Sequence, residues 1–218
     1  MSGGPPVNGL RVALAAGSCL ALLAMAVSQG WLAWLDDGLL SSLATWRSPF
    51  LDGFFRAITW FGSGYVLIPA VLLLLAVLAA RRQWLLAGAF GLIYSGAALS
   101  AWALKQIIGR ERPLLHPALA EFIRVDWSFP SGHATHAAAF ALGAWLLARS
   151  CGRAGSRLPT AGMAMVLLLA MVLLVALSRL YLQVHWPSDV LAGILLAAVW
   201  AGVVIHALQP GALQGGRP

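Results

Sequence analysis

Long apolar runs separated by short polar joints dominate this chain. A bilayer core about 30 Å thick takes roughly 20 consecutive apolar residues in one helix. Six segments meet or approach that length: Val12–Ala33, Trp60–Ala80, Trp84–Leu104, His133–Ala148, Thr160–Leu177 and Pro187–Leu208. The first is too long for the apolar stretch of a signal peptide and has no clean cleavage site, so it is expected to be a span. Arg81-Arg82-Gln83 leaves only a tight turn between the second and third runs, which should be antiparallel neighbours. The pattern changes between the first and second. There Leu39, Leu40, Leu43 and Trp46, then Leu51, Phe54, Phe55 and Ile58, recur at helical spacing, with Asp37, Ser41, Ser42, Arg47, Asp52 and Arg56 between them. This predicts one or two amphipathic helices lying in the interface over residues 37–60. Such a stripe alone specifies no ligand, so a cover for the bundle is preferred over a wall of a lateral lipid entrance. The expected fold class is all-α: an integral membrane bundle of six transmembrane helices with short interfacial helices between spans one and two. One domain, 1–218, is expected, with a disordered glycine-rich tail over 209–218.

Composition agrees with the pattern. The chain has 218 residues, 61% of them hydrophobic and 10% charged, with mean hydropathy +0.84. A soluble domain could not cover its surface with so few charges. The formal charge of +7 is not gathered on a soluble face, which excludes nucleic acid as the partner. Cys19 and Cys151 lie far apart in different segments and imply neither a disulfide framework nor a metal site. Trp31, Trp34, Trp60 and Trp84 fall near the ends of spans, as aromatic belts do; Trp102, Trp145 and Trp200 fall deeper and are expected to be packing residues.

Charge sets an expected orientation. With six spans, one side carries Arg11, Arg81, Arg82, Arg149, Arg153, Arg157 and Arg217 and no acid. The other carries Arg47, Arg56, Lys105, Arg110, Arg112, Arg124 and Arg179, balanced by Asp36, Asp37, Asp52, Glu111, Glu121, Asp126 and Asp189. The positive-inside rule then places both termini in the cytoplasm of a multi-pass plasma (inner) membrane protein.

Three polar blocks end apolar runs on the opposite, periplasmic or extracellular side. The first is Lys105 with Arg112-Pro113. Lys105 and Arg112 are two helical turns apart and share a face if the helix continues, although Gly109 and Pro113 suggest that it frays. Basic residues at a helix end are ordinary snorkelling groups when seen alone. The second is Pro130-Ser131-Gly132-His133. Ser131 is a good N-cap, and a helix starting near Gly132 would present free N–H groups and a partial positive charge to an anion. His133 would stand beside that anion as a proton donor. His136, a turn further on, is expected in packing or a supporting role. The third is Ser178-Arg179 with His185 and Asp189. Pro187 suits a first helical turn, which puts Asp189 where it can accept the Nδ1 proton of His185 and leave Nε2 to attack. A His–Asp helix cap explains those two residues but not the cations on the same side. Together the blocks supply what phosphoryl transfer needs: Lys105, Arg112, Arg179 and the Ser131–Gly132 amides around the equatorial oxygens, with no metal or other cofactor required.

These eleven positions resemble the signature of the type 2 phosphatidic acid phosphatase superfamily: Lys-x6-Arg-Pro, Pro-Ser-Gly-His and Ser-Arg-x5-His-x3-Asp. The resemblance covers the motif core 105–189. It implies a six-helix, metal-independent membrane lipid phosphatase with His185 as nucleophile, Asp189 as its partner and His133 as general acid. It likewise implies phosphate binding by Lys105, Arg112, Ser131, Gly132 and Arg179. The family includes undecaprenyl-diphosphate, phosphatidylglycerophosphate, phosphatidic acid and lipid A phosphatases, so a lipid phosphate in the bilayer is the expected partner. Undecaprenyl diphosphate or a related lipid is the first choice. A phosphotransferase, or a non-enzymatic protein that binds or transports lipid headgroups, is the alternative. The sequence sets no oligomeric state.

Overall fold

The computed structural model describes residues 8–113, 126–152 and 161–209. Eight α-helices follow in order: α1 (Gly9–Ser28), α2 (Ala33–Ala44), α3 (Pro49–Ile58), α4 (Gly64–Ala80), α5 (Trp84–Ile108), α6 (Gly132–Gly152), α7 (Ala161–Tyr181) and α8 (Pro187–Ala207). A 3-10 turn, Thr59–Gly62, joins α3 to α4. The expected helical membrane bundle is therefore present. Among the described residues, five stretches are long and apolar enough to cross a membrane: Gly9–Ser28, Pro49–Ala80, Trp84–Ile108, Gly162–Tyr181 and Pro187–Ala207. The expected fourth span is α6, of comparable length but less apolar. Apart from Gln209, the tail expected over 209–218 lies outside the described residues.

Boundaries moved where local chemistry decides them. The first span stops at Ser28 rather than Ala33, because Gly30 adopts a left-handed conformation (φ +72°) and turns the chain into α2. α5 runs a turn past Leu104 to Ile108 and ends on Gly109, also left-handed (φ +60°). The segment between spans one and two forms two short helices. Ser48 caps α3 by accepting from the Leu51 N–H (3.3 Å). Leu51 and Phe55 pack on Tyr181, Leu182 and Val184, so this segment covers the bundle end as expected.

α6 lies at the centre, against α5, α7 and α8, and α1 packs along α8. Small residues permit these close crossings, as membrane helices require where burial from water is not the driving force. A Cβ at Gly202 would come within 2.6 Å of the Ala13 backbone nitrogen of α1. Phe90, Ile93, Ala97, Ala137, Ala138, Ala197 and Ala201 fill the core. Large apolar side chains such as Leu14, Leu72, Leu85, Leu99 and Val166 face outward. Trp200 packs deep over Gly96 and donates to Ser100 Oγ (3.0 Å). Trp102 departs from expectation: it is 66% exposed, on a helix face where lipid is as good a solvent for it as the core.

Candidate active site

The C-terminal ends of α5 and α7 meet the N-terminal ends of α6 and α8, and all three polar blocks converge there. Gly109 ends α5, so Lys105 and Arg112 do not share one helical face. They meet instead on Asp126: Lys105 Nζ lies 3.3 Å from Oδ2, Arg112 Nη2 donates to Oδ1, and Arg112 Nε donates to the Asp126 carbonyl (3.0 Å). Lys105 also donates to the Trp127 carbonyl. Partial burial would raise the Asp126 carboxyl, but Lys105 and Arg112 outweigh it and hold it below the ordinary aspartate range.

Arg112 reaches across to the third block. Its Nη1 donates to the Val184 carbonyl (2.7 Å) and lies 3.1 Å from His185 Nε2. A guanidinium can only donate, so Nε2 must accept and the ring proton sits on Nδ1. Nδ1 in turn lies 3.2 Å from Ser128 Oγ, which donates to Asp189 Oδ2. The direct Nδ1–Oδ2 separation is 3.6 Å, longer than a hydrogen bond. The expected His185–Asp189 pair is therefore close but bridged by the Ser128 hydroxyl. His185 is 1% exposed, and burial, then the charges of Arg112, Arg179 and Lys105, pushes it well below the ordinary histidine value. The ring is neutral, with its basic nitrogen turned toward the cations.

The second block packs on the third. The Ser131 N–H donates to the Asp189 carbonyl (2.9 Å), and the Ser131 carbonyl accepts from Thr135 N (3.0 Å) and Thr135 Oγ1 (2.9 Å). This approach depends on Gly193 of α8, where a Cβ would come 2.7 Å from the Ser131 carbonyl oxygen and 2.8 Å from Thr135 Oγ1. Ser131 was expected to cap α6 through its hydroxyl; instead Oγ is buried and has no partner among the described residues. A Cβ at Gly132 would meet nothing within 4 Å, leaving open space over the first turn of α6. His133 follows, half-buried, with its backbone against Gly62. Arg179 is buried; Nη1 donates to Thr59 Oγ1 (2.6 Å), while Nε has no partner among the described residues. A hydroxyl and a guanidinium nitrogen buried without partners cost free energy unless a ligand or water satisfies them. His136 lies inside the bundle against the Tyr94 ring (5.3 Å between centroids), consistent with packing.

A family model described as PAP2 superfamily matches residues 84–211, from the start of α5 to just past α8. The chain belongs to the PAP2 superfamily. Among curated relatives, it is similar to the decaprenylphosphoryl-5-phosphoribose phosphatase of Mycobacterium tuberculosis, with 37% identity over 155 residues, covering 68% of this chain and 76% of that protein. It is similar also to the undecaprenyl-diphosphatase of Sulfolobus acidocaldarius, with 31% identity over 150 residues, covering 68% and 66%. Among solved structures, the transmembrane PAP2-type phosphatidylglycerolphosphate phosphatase from Bacillus subtilis superposes with a TM-score of 0.77 over 94% of this chain and 98% of that one; at 24% identity the likeness is one of fold.

Four residues of this candidate site had no signal as site residues in the sequence. Ser128 stands two positions before the Pro-Ser-Gly-His block. Arg110 lies inside the Lys-x6-Arg spacing and binds Asp189 Oδ1 (2.7 Å). Asp126 joins Lys105 to Arg112, and Thr59 holds Arg179. Each looks like an ordinary polar loop or helix-end residue until the helix ends are brought together.

Proposed function

We propose that this PAP2 protein is a membrane lipid phosphatase working through a phosphohistidine at His185. The observation that carries the reading is the buried His185, whose Nε2 lies 3.1 Å from Arg112 Nη1, with Arg179 and Lys105 adding to the positive field on the ring. Lys105, Arg112 and Arg179 would hold the phosphate oxygens with the Ser131 hydroxyl and the free N–H groups at the start of α6. Arg112 turns from Nε2 to the phosphate as it binds, which frees the nitrogen lone pair. Nε2 then attacks phosphorus, the bond to the lipid-side or leaving-phosphate oxygen breaks, and His133 gives that oxygen a proton. The phosphorylated ring is cationic and keeps its Nδ1–H on Ser128, whose hydroxyl passes the interaction to Asp189. In the second step His133 takes a proton from water, the water oxygen attacks phosphorus, and the P–N bond breaks to release phosphate and neutral His185. The cations do the electrostatic work, so no metal is invoked.

A lipid phosphomonoester or diphosphate is the substrate, with a polyprenyl phosphate or diphosphate first, as the names of the relatives suggest, and a phosphatidic-acid-like lipid second. The charge asymmetry along the sequence supports a site on the periplasmic or outer face. The test is phosphate release by the purified protein in detergent with EDTA, on undecaprenyl diphosphate, phosphatidylglycerophosphate and phosphatidic acid, each beside His185→Ala. Turnover that survives EDTA and disappears in the variant supports the reading, and the order of rates ranks the lipids. A folded wild-type protein with no turnover on any of them overturns it in favour of headgroup binding.

A further inference from the structure

Asp36 lies on α2, outside every motif, yet it is 2% exposed and its carboxylate turns toward the site. Its Oδ1 accepts from the Ser188 N–H (3.0 Å); its Oδ2 accepts from Ser188 Oγ (2.6 Å) and Arg110 Nη2 (2.7 Å). The same guanidinium donates Nη1 to Asp189 Oδ1 (2.7 Å) and to Ser188 Oγ (2.7 Å), and packs on the Trp186 ring (5.2 Å). A buried carboxylate with one partner removed is costly, so Asp36 is held by function or by the whole cluster, not by chance.

From this geometry we propose that Asp36 is a positioning residue of the proposed reaction: through Arg110 it fixes the Asp189 carboxylate so that Oδ2 stays on Ser128 and His185. Asp189 has two oxygens with different duties. Oδ1 is anchored by Arg110, and Oδ2 takes Ser128 and the Trp186 N–H (2.9 Å). Asp36 takes the other end of the guanidinium fork, which fixes the plane of Arg110 and divides its charge between two carboxylates. Without Asp36 the whole cation would sit on Asp189. That carboxylate would be a weaker acceptor toward Ser128, and the cationic phosphohistidine would lose stabilisation. α2 is thereby tied to the chemistry rather than merely covering it.

The inference rests on the phosphatase reading, and wild-type turnover in the same assay separates the two: no wild-type activity defeats that reading, whereas an active wild type leaves the variants to judge Asp36. Asp36→Asn is expected to lower kcat roughly 10- to 100-fold with KM changed less than about threefold, since no contact to the phosphate is touched. In a Ser128→Ala background, where the path to His185 is already cut, the same substitution should cost less than about threefold. Arg110→Lys, which keeps the charge but loses the two-ended fork, is the second variant should Asp36→Asn not fold, and the same kcat-selective loss is expected. An unchanged kcat in a folded variant overturns the proposal. So does a full, multiplicative loss on top of Ser128→Ala, which would mark a purely structural role.

Discussion

His185 Nδ1 and Asp189 Oδ2 stand 3.6 Å apart, with the Ser128 hydroxyl within reach of both. The four-residue spacing of the motif brings the two side chains to the same place, but the hydrogen-bonded path between them runs through a residue from another loop. Removing that hydroxyl should therefore resemble a weakened dyad. Ser128→Ala is expected to lower kcat roughly 10- to 100-fold, the equivalent of one hydrogen bond to a charged group, about 1.5–3 kcal/mol. KM should stay near the wild-type value. A variant as active as wild type would show that His185 and Asp189 close up directly during turnover.

The pH dependence follows from burial first and then from the cations around His185. With its pKa well below 6.5, the ring remains neutral and nucleophilic as the solution is acidified through the range where an ordinary histidine protonates. The acid limb of the kcat/KM profile should thus lie well below pH 6.5. The linkage has the matching sign. The unfolded chain binds the proton more readily, so this group's stabilisation is present above about pH 6.5 and is lost as pH falls below it. A profile whose acid limb sits at 6.5 or above would mean that His185 is neither so buried nor so surrounded by charge.

Asp126 stands where a phosphate would compete. It neutralises Lys105 and Arg112, while the Val184 carbonyl also holds Arg112 in place. Asp126→Asn is expected to tighten inhibition by vanadate roughly 3- to 10-fold, through the release of two partly exposed ion pairs each worth about 0.2–1 kcal/mol. Weaker inhibition would mean that the carboxylate positions the cations more than it occupies them.

Gly193 sets the distance between α8 and the start of α6. A methyl group there would press on the Ser131 carbonyl and Thr135 Oγ1, at 2.7 and 2.8 Å. Neither atom belongs to a flexible side-chain end. Gly193→Ala is expected to cost about 1–3 kcal/mol of stability. It should also raise KM, because the first turn of α6 would be displaced. Thermal melting in detergent and a KM measurement check both; wild-type values for the two would show that α6 can shift freely.

Much of this was legible before the structure. The apolar runs predicted the long helices to within a few residues, since length and hydropathy alone decide a span. The three blocks predicted one shared site because each sits at a helix end that alternation places on the same side. The misses have local or tertiary causes. Gly30 ends α1 earlier than hydropathy implies, because a left-handed turn, not polarity, terminates it, whereas α5 ends at Gly109, where that glycine suggests fraying. Trp102 is exposed rather than packed, because periodicity does not tell a lipid face from a core face when both are apolar. Asp36, Arg110 and Ser128 were invisible as site residues because their partners are remote: Ser188 is 152 positions from Asp36. The Ser131 hydroxyl, expected to cap the helix, has no partner among the described residues, which only packing reveals.

The most direct measurement is to trap the covalent intermediate. Wild-type protein mixed with a phosphorus-32-labelled lipid phosphate, quenched in alkali within milliseconds and digested, is expected to carry an acid-labile, alkali-stable label on the peptide containing His185, with none in His185→Ala. Steady turnover without any labelled protein, or a label on a peptide lacking His185, would contradict nucleophilic attack by this residue.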